Sequence, residues 1–197
     1  MFYRVSDRIA ERFVEKKAIL SEEKELYRFG IQQGLSIVLN IITTFVIGLA
    51  FQMVIESFLF LIIYIPLRSY AGGIHAKTAN RCYIFSSLMI IAVLSAIKFF
   101  PFGNLICSYL SVISGIIIFL LAPVETENKR LDDMERIVYR RRARLILGVE
   151  IIIQLLLSLL LSEKFVMCFS CAFVCLAVVM ISGAVKNKKD SCGSLDK

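Results

Sequence analysis

Residues 31–51 read IQQGLSIVLNIITTFVIGLAF, and no Asp, Glu, Lys or Arg interrupts them. A helix of about 20 mostly apolar residues is what crosses the hydrocarbon core of a bilayer. Further apolar runs follow near 53–67, 83–100, 105–122, 145–161 and 165–185. The chain of 197 residues is 58% hydrophobic and only 20% charged, with a mean hydropathy of +0.76. A soluble domain of this length carries fewer apolar and more charged residues. The expected fold class is therefore an all-α integral membrane protein with six transmembrane helices. The first two runs lie so close together that the turn near Phe51–Met53 must be tight.

Ahead of these runs, residues 1–28 read as one amphipathic helix. Phe2, Val5, Ile9 and Phe13 recur at helical spacing, and Arg4, Arg8, Glu11, Arg12, Glu15 and Lys16 fill the other side. Such a helix lies in the membrane interface rather than crossing it; the plainer alternative is a soluble helix packed on the cytoplasmic side. The stretch MFYRVSDRIAERFVEKK lacks the apolar core of a signal peptide. The expected organisation is an interfacial helix over 1–30 and a membrane domain over 31–185. That domain contains a polar loop over 68–82 and a basic loop over 123–144, and a tail follows over 186–197.

Orientation follows from the basic residues. With a cytoplasmic N-terminus and six spans, 21 of the 23 Lys and Arg fall on the cytoplasmic side. Only Lys98 and Lys164 fall outside. Cytoplasmic loops carry the Lys/Arg excess of membrane proteins, so both termini and the polar loop are expected on the cytoplasmic side of the cell membrane. The net charge of +7 reads the same way, and no nucleic-acid partner is expected.

The polar loop carries the chemistry. Residues 67–83 read LRSYAGGIHAKTANRCY and hold the chain's one histidine, His75, with Cys82 seven residues on. A thiolate is the nucleophile, whereas a free thiol, with pKa ~8.5, is mostly protonated at neutral pH. An imidazole within hydrogen-bond reach can take the proton. On a straight helix seven residues return to the same face but about 10.5 Å along the axis. The backbone must therefore fold back, and Gly72 and Gly73 permit it. Arg68 and Arg81 flank the pair as electrostatic supports or carboxylate grips, and the amides around Gly72–Gly73 are candidate oxyanion donors. Residue types alone leave a surface His and a passive Cys open.

Other polar groups need weighing. Glu150 and Gln154 lie at i and i+4 within the fifth run, and an ionisable group in a span usually faces a protein interior or a wet cavity. Gln32 begins the first span on the side of the polar loop, suited either to orienting His75 or to pairing with backbone. Lys129, Arg130, Arg136, Arg140, Arg141 and Arg142 form a cluster that suits an acidic partner or anionic lipid. Cys168, Cys171 and Cys175 share a helix face, but they lie in an apolar span with no His nearby. They are expected to pack, and neither a metal nor a cofactor is expected.

The residues Arg68-Ser-Tyr-Ala-Gly-Gly-Ile-His75-Ala, with Cys82 beyond, resemble the accessory gene regulator protein B (AgrB) family of bacterial quorum-sensing membrane peptidases. The resemblance extends to Arg28-Phe-Gly-Ile-Gln32 at the first span, to the basic loop opening at Ala122-Pro123, and to the short charged tail. It implies a cysteine endopeptidase acting on a propeptide of the AgrD type. Cys82 is then the nucleophile and His75 the general base. Arg68 and Gly73 match supporting positions of the family; Gly72 and Gln32 are further candidate supports by their position, and the basic cluster with Glu150 supplies the candidate substrate contacts. The enzyme thioester passes to an internal Cys or Ser of the peptide, closing a thiolactone or lactone ring. The resemblance also implies a homodimer. A small peptide exporter without proteolytic activity is the competing reading, and a membrane scaffold a third.

Overall fold

The computed structural model describes residues 2–16, 19–73, 79–100, 102–125, 132–160 and 163–193. Among them there are seven α-helices and no strands. In order they are α1 (Phe2–Glu15), α2 (Lys24–Phe51), α3 (Val54–Ala71), α4 (Ala79–Phe99), α5 (Asn104–Leu121), α6 (Asp133–Leu159) and α7 (Glu163–Gly193). A single 3₁₀ turn, Ser21–Glu23, leads into α2. The fold class is the all-α membrane type.

The single amphipathic helix expected over 1–28 is corrected to two elements. α1 stops at Glu15 and lies back along the start of α2. Lys24 reaches Asp7 (3.5 Å) and Glu11 (2.9 Å), and Arg28 reaches Asp7 (3.9 Å). Small residues make the seam: Ser6 and Ala10 are fully buried, while Val5 and Phe13 stay exposed.

Helices α2, α3, α4, α5 and α7 are each long and apolar enough to cross a membrane. The sixth expected span, within α6, falls short on composition, because Arg142, Arg144 and Glu150 all lie in its last 18 residues. α6 still packs into the bundle, against α3, α5 and α7. The burial pattern is inverted relative to a soluble protein. Ile37, Val38, Ile41, Ile42 and Phe45 on α2 are exposed, as are Leu105, Val112, Ile113 and Leu120 on α5. Apolar faces this extensive suit lipid rather than water.

α7 is the hub. It packs against α3, α4, α5 and α6, and Val166, Cys168, Phe173, Leu176 and Met180 are fully buried. Cys171 and Cys175 are partly buried against the same core, as their apolar setting predicts. Facing α7, Phe60 and Tyr64 of α3 stack at 5.4 Å. With no hydrophobic gain between helices inside lipid, close packing and interhelical hydrogen bonds must hold such a bundle. One knot is plain. Gln154 donates to Ser111 Oγ (2.7 Å) and Ser170 Oγ (3.2 Å), those hydroxyls pair at 2.8 Å, and Ser170 Oγ donates to the Cys107 carbonyl (2.8 Å).

At the α2–α3 turn, Gln52 adopts the left-handed conformation (φ 59°) and Met53 N–H bonds to the Gly48 carbonyl (2.8 Å). The tight turn read from the sequence is there. α3 runs through Pro66 to Ala71, beyond the expected end at 67. Proline costs a helix one internal hydrogen bond, but Leu67 and Ala71 continue the buried face past it.

Candidate functional site

The extension of α3 and the start of α4 at Ala79 shorten the polar loop from both sides. Arg68 sits in the last turn of α3 and Cys82 in the first turn of α4. Cys82 is exposed. The half-buried Arg68 guanidinium lies within electrostatic reach of both Cys82 and Tyr64. Two residues fourteen positions apart in sequence thus lie toward the same end of the bundle. His75 falls in residues 74–78, outside the described part of the chain, and its geometry is not assigned.

The two glycines make the reversal. Gly72 ends α3 at φ 77°, ψ −151°, and Gly73 follows at φ 117°. L-residues with a Cβ rarely adopt either conformation. Space forbids a side chain as well. A Cβ on Gly72 would run into the Val124 carbonyl oxygen, and one on Gly73 into the Arg68 guanidinium and Val179 of α7. The Arg68 Nη1 donates to the Gly72 carbonyl, so the same side chain fastens the turn.

A second segment locks this reversal. Val124 N–H donates to the Ala71 carbonyl (2.9 Å) and Gly73 N–H to the Val124 carbonyl (3.3 Å), a parallel bridge between Gly72 and Val124. The Gly72 N–H is taken by the Arg68 carbonyl (3.2 Å). Both glycine amides considered as oxyanion donors are therefore committed to backbone carbonyls. The next residue, Glu125, pairs with Arg136, and its carbonyl accepts from Asn187 Nδ2 (2.7 Å). The opening of the basic segment, the glycine turn and the far end of α7 are thus tied together.

The basic residues that can be placed stand on α6 rather than in a loop. Asp132 caps that helix, with its side chain accepting from Asp133 N–H (2.8 Å) and Glu135 completing a capping box. Arg140 and Arg141 are exposed. Arg142 donates to the Tyr70 hydroxyl (3.2 Å) and lies 5.4 Å from that ring, which in turn meets Tyr139 edge-on at 5.5 Å. Lys129 and Arg130 fall outside the described residues. Glu150 does not join this cluster. It lies eight residues past Arg142, about 12 Å along a helix axis, and is 8% exposed with Oε2 unpartnered in the bundle interior. Gln32 is half-buried in the first part of α2, where its carbonyl accepts from Ser36 Oγ (2.9 Å).

Two contacts have no clear trace in the sequence. Tyr83, next to Cys82, shares a 2.7 Å hydrogen bond with Thr43 of α2. The Val124 bridge pairs segments fifty residues apart, and the only hint of it is Ala122-Pro123, where α5 must stop.

These features define a helical membrane protein with an exposed thiol within electrostatic reach of an arginine that fastens a glycine turn at one end of the bundle. The family model for Accessory gene regulator B matches residues 6–181, and the chain belongs to that family. Among curated proteins it is similar to an AgrB-like protein of Clostridium perfringens strain SM101 / Type A, 29% identical over 136 residues. It is 30% identical over 137 residues to AgrB-like protein 2 of Clostridium perfringens strain 13 / Type A. Each alignment covers 66% of this chain and 64% of the relative, so the chain spans just under two thirds of the length of the curated relatives it matches. No solved structure matches the chain.

Proposed function

We propose that this protein is a membrane cysteine endopeptidase that processes a quorum-sensing propeptide of the AgrD type. Family membership supports the process. The observation that carries the chemistry is an exposed Cys82 within electrostatic reach of the Arg68 guanidinium near the glycine turn. In this reading His75 takes the Cys82 proton as Sγ attacks the scissile carbonyl. The S–C bond forms, the C–N bond breaks, and the proton passes to the departing amine of the peptide's C-terminal tail. The enzyme thioester then yields to an internal Cys or Ser of the peptide, which closes a thiolactone or lactone ring. Arg68, within electrostatic reach of the thiol and held by Gly72, supplies positive charge where negative charge develops.

The same reading gives α6 a membrane-spanning role and thus six spans, with both termini and Cys82 on the cytoplasmic side. Arg136, Arg140, Arg141 and Arg142, with Lys129 and Arg130, then face the substrate's acidic tail, and the enzyme works as a homodimer. Glu150 is better suited to the bundle interior than to substrate contact, because it is buried away from the arginines.

The test replaces Cys82 by Ala in the full chain, co-expressed with an AgrD-type propeptide that the wild-type chain cleaves. Loss of tail cleavage, with the protein still inserted, is expected. Undiminished cleavage would overturn the peptidase and leave the exporter.

A further inference from the structure

The two lysines that break the charge rule converge on one place. Lys98 ends α4 and Lys164 begins α7, and both line a cavity of about 340 Å³ at the end of the bundle opposite Cys82. Phe51, Phe102, Met167 and Glu163 are also among its walls. In the six-span orientation proposed above, on which this count rests, only 2 of the 23 basic residues lie on this side, and chance does not favour placing both in one pocket.

Helix electrostatics account for only one of them. Lys98 donates to the Phe51 carbonyl at the end of α2 (3.2 Å) and sits 5.8 Å from the Phe51 ring. A cation is favoured at the carboxyl end of a helix. An ammonium carries three donors, so this bond leaves others for a ligand. Lys164 stands in the first turn of α7, where the helix dipole disfavours a cation. An anion in the cavity would offset that cost. The surroundings point to the membrane as its source. Phe99, Phe100 and Phe102 are 65%, 63% and 42% exposed around the α4–α5 connection, and a cluster of exposed apolar rings at the end of a span suits lipid rather than water.

We propose that this cavity binds the phosphodiester headgroup of an anionic phospholipid. The phosphate lies between Lys98 and Lys164, the headgroup hydroxyls donate to Glu163, and the acyl chains leave over the phenylalanine rim. The site is independent of the thiol chemistry at the other end.

The test is native mass spectrometry of the full chain in detergent, titrated with phosphatidylglycerol, with phosphatidylcholine, or with inorganic phosphate. Wild type is expected to retain phosphatidylglycerol over phosphatidylcholine. K98Q/K164Q should retain it about thirtyfold more weakly, as the loss of two lysine–headgroup contacts implies, and K98R/K164R should restore retention. The melting temperature in phosphatidylcholine checks that the double variant is folded; if it is not, K164Q alone carries the test. Equal phosphatidylglycerol retention by wild type and variant overturns the site. Competition by millimolar inorganic phosphate that strips the lipid overturns the membrane source.

Discussion

The Arg68 guanidinium donates to the carbonyl of Gly72, four residues further on, while the same guanidinium lies within electrostatic reach of Cys82. One side chain therefore serves both the shape of the turn and the charge beside the thiol. Arg68→Ala should lower propeptide cleavage at least tenfold, since a hydrogen bond from a charged donor is worth about 1.5–3 kcal/mol. Arg68→Lys should recover part of this, because it restores the charge without the planar fork. Cleavage by Arg68→Ala at the wild-type rate would separate this residue from the site.

Gly72→Ala tests the turn itself. Its φ of 77° is strained for any residue with a Cβ, at about 1–3 kcal/mol, and the Val124 carbonyl blocks the new methyl group. A lower melting temperature in detergent is the expected outcome, with loss of cleavage. An unchanged melting curve would mean that the Val124 bridge does not form.

Tyr83→Phe removes only the hydroxyl that meets Thr43 at 2.7 Å. That bond holds the first turn of α4, and with it Cys82, against α2. Cleavage should fall about fivefold, matching ~1 kcal/mol for one hydrogen bond. Thr43→Val should do the same, and the double variant should be no worse than either single one. Additive losses in the double variant would show that the two hydroxyls act separately.

Gln154→Leu removes the donor that joins Ser111 and Ser170. Those two hydroxyls keep their own 2.8 Å bond, so neither is stranded. The cost should be near 0.6 kcal/mol and no more than about 1.7 kcal/mol, the range of interhelical hydrogen bonds in membranes. Unfolding in mixed detergent micelles reads it directly. A much larger loss would mean that Gln154 has a further partner, with Glu150, one turn away, the first to examine.

The helical membrane class was legible because long apolar runs leave few alternatives, and such runs mark α2, α3, α4, α5 and α7, together with the second half of α6. Ends were harder. Pro66 and the polar residues after it suggest a stop, yet Leu67 and Ala71 are buried and carry α3 onward. Residues 1–28 have one amphipathic pattern throughout, and nothing in the pattern shows that α1 turns back on α2, because the seam is made by Ser6 and Ala10 rather than by the large apolar residues. At the site, Arg68, the two glycines and Cys82 were all visible as residue types. Their mutual arrangement was not, because a bridge to Val124 sets it, and pairing between distant backbone segments leaves no periodic mark. Glu150 was visible as an oddity in a span, but whether it met substrate or core depended on packing alone.

The central position of α7 also bears on how the protein is made. Chain synthesis runs from α1 to α7, so the ribosome delivers the hub after every helix that packs on it. Until then α3, α5 and α6 wait in the bilayer with the faces meant for α7 against lipid or the insertion machinery. Gly73 closes against Val179, a residue of that late helix, so the turn beside Cys82 takes its final form only when most of the chain has been translated. Biogenesis itself thus postpones the moment at which the thiol acquires its working surroundings.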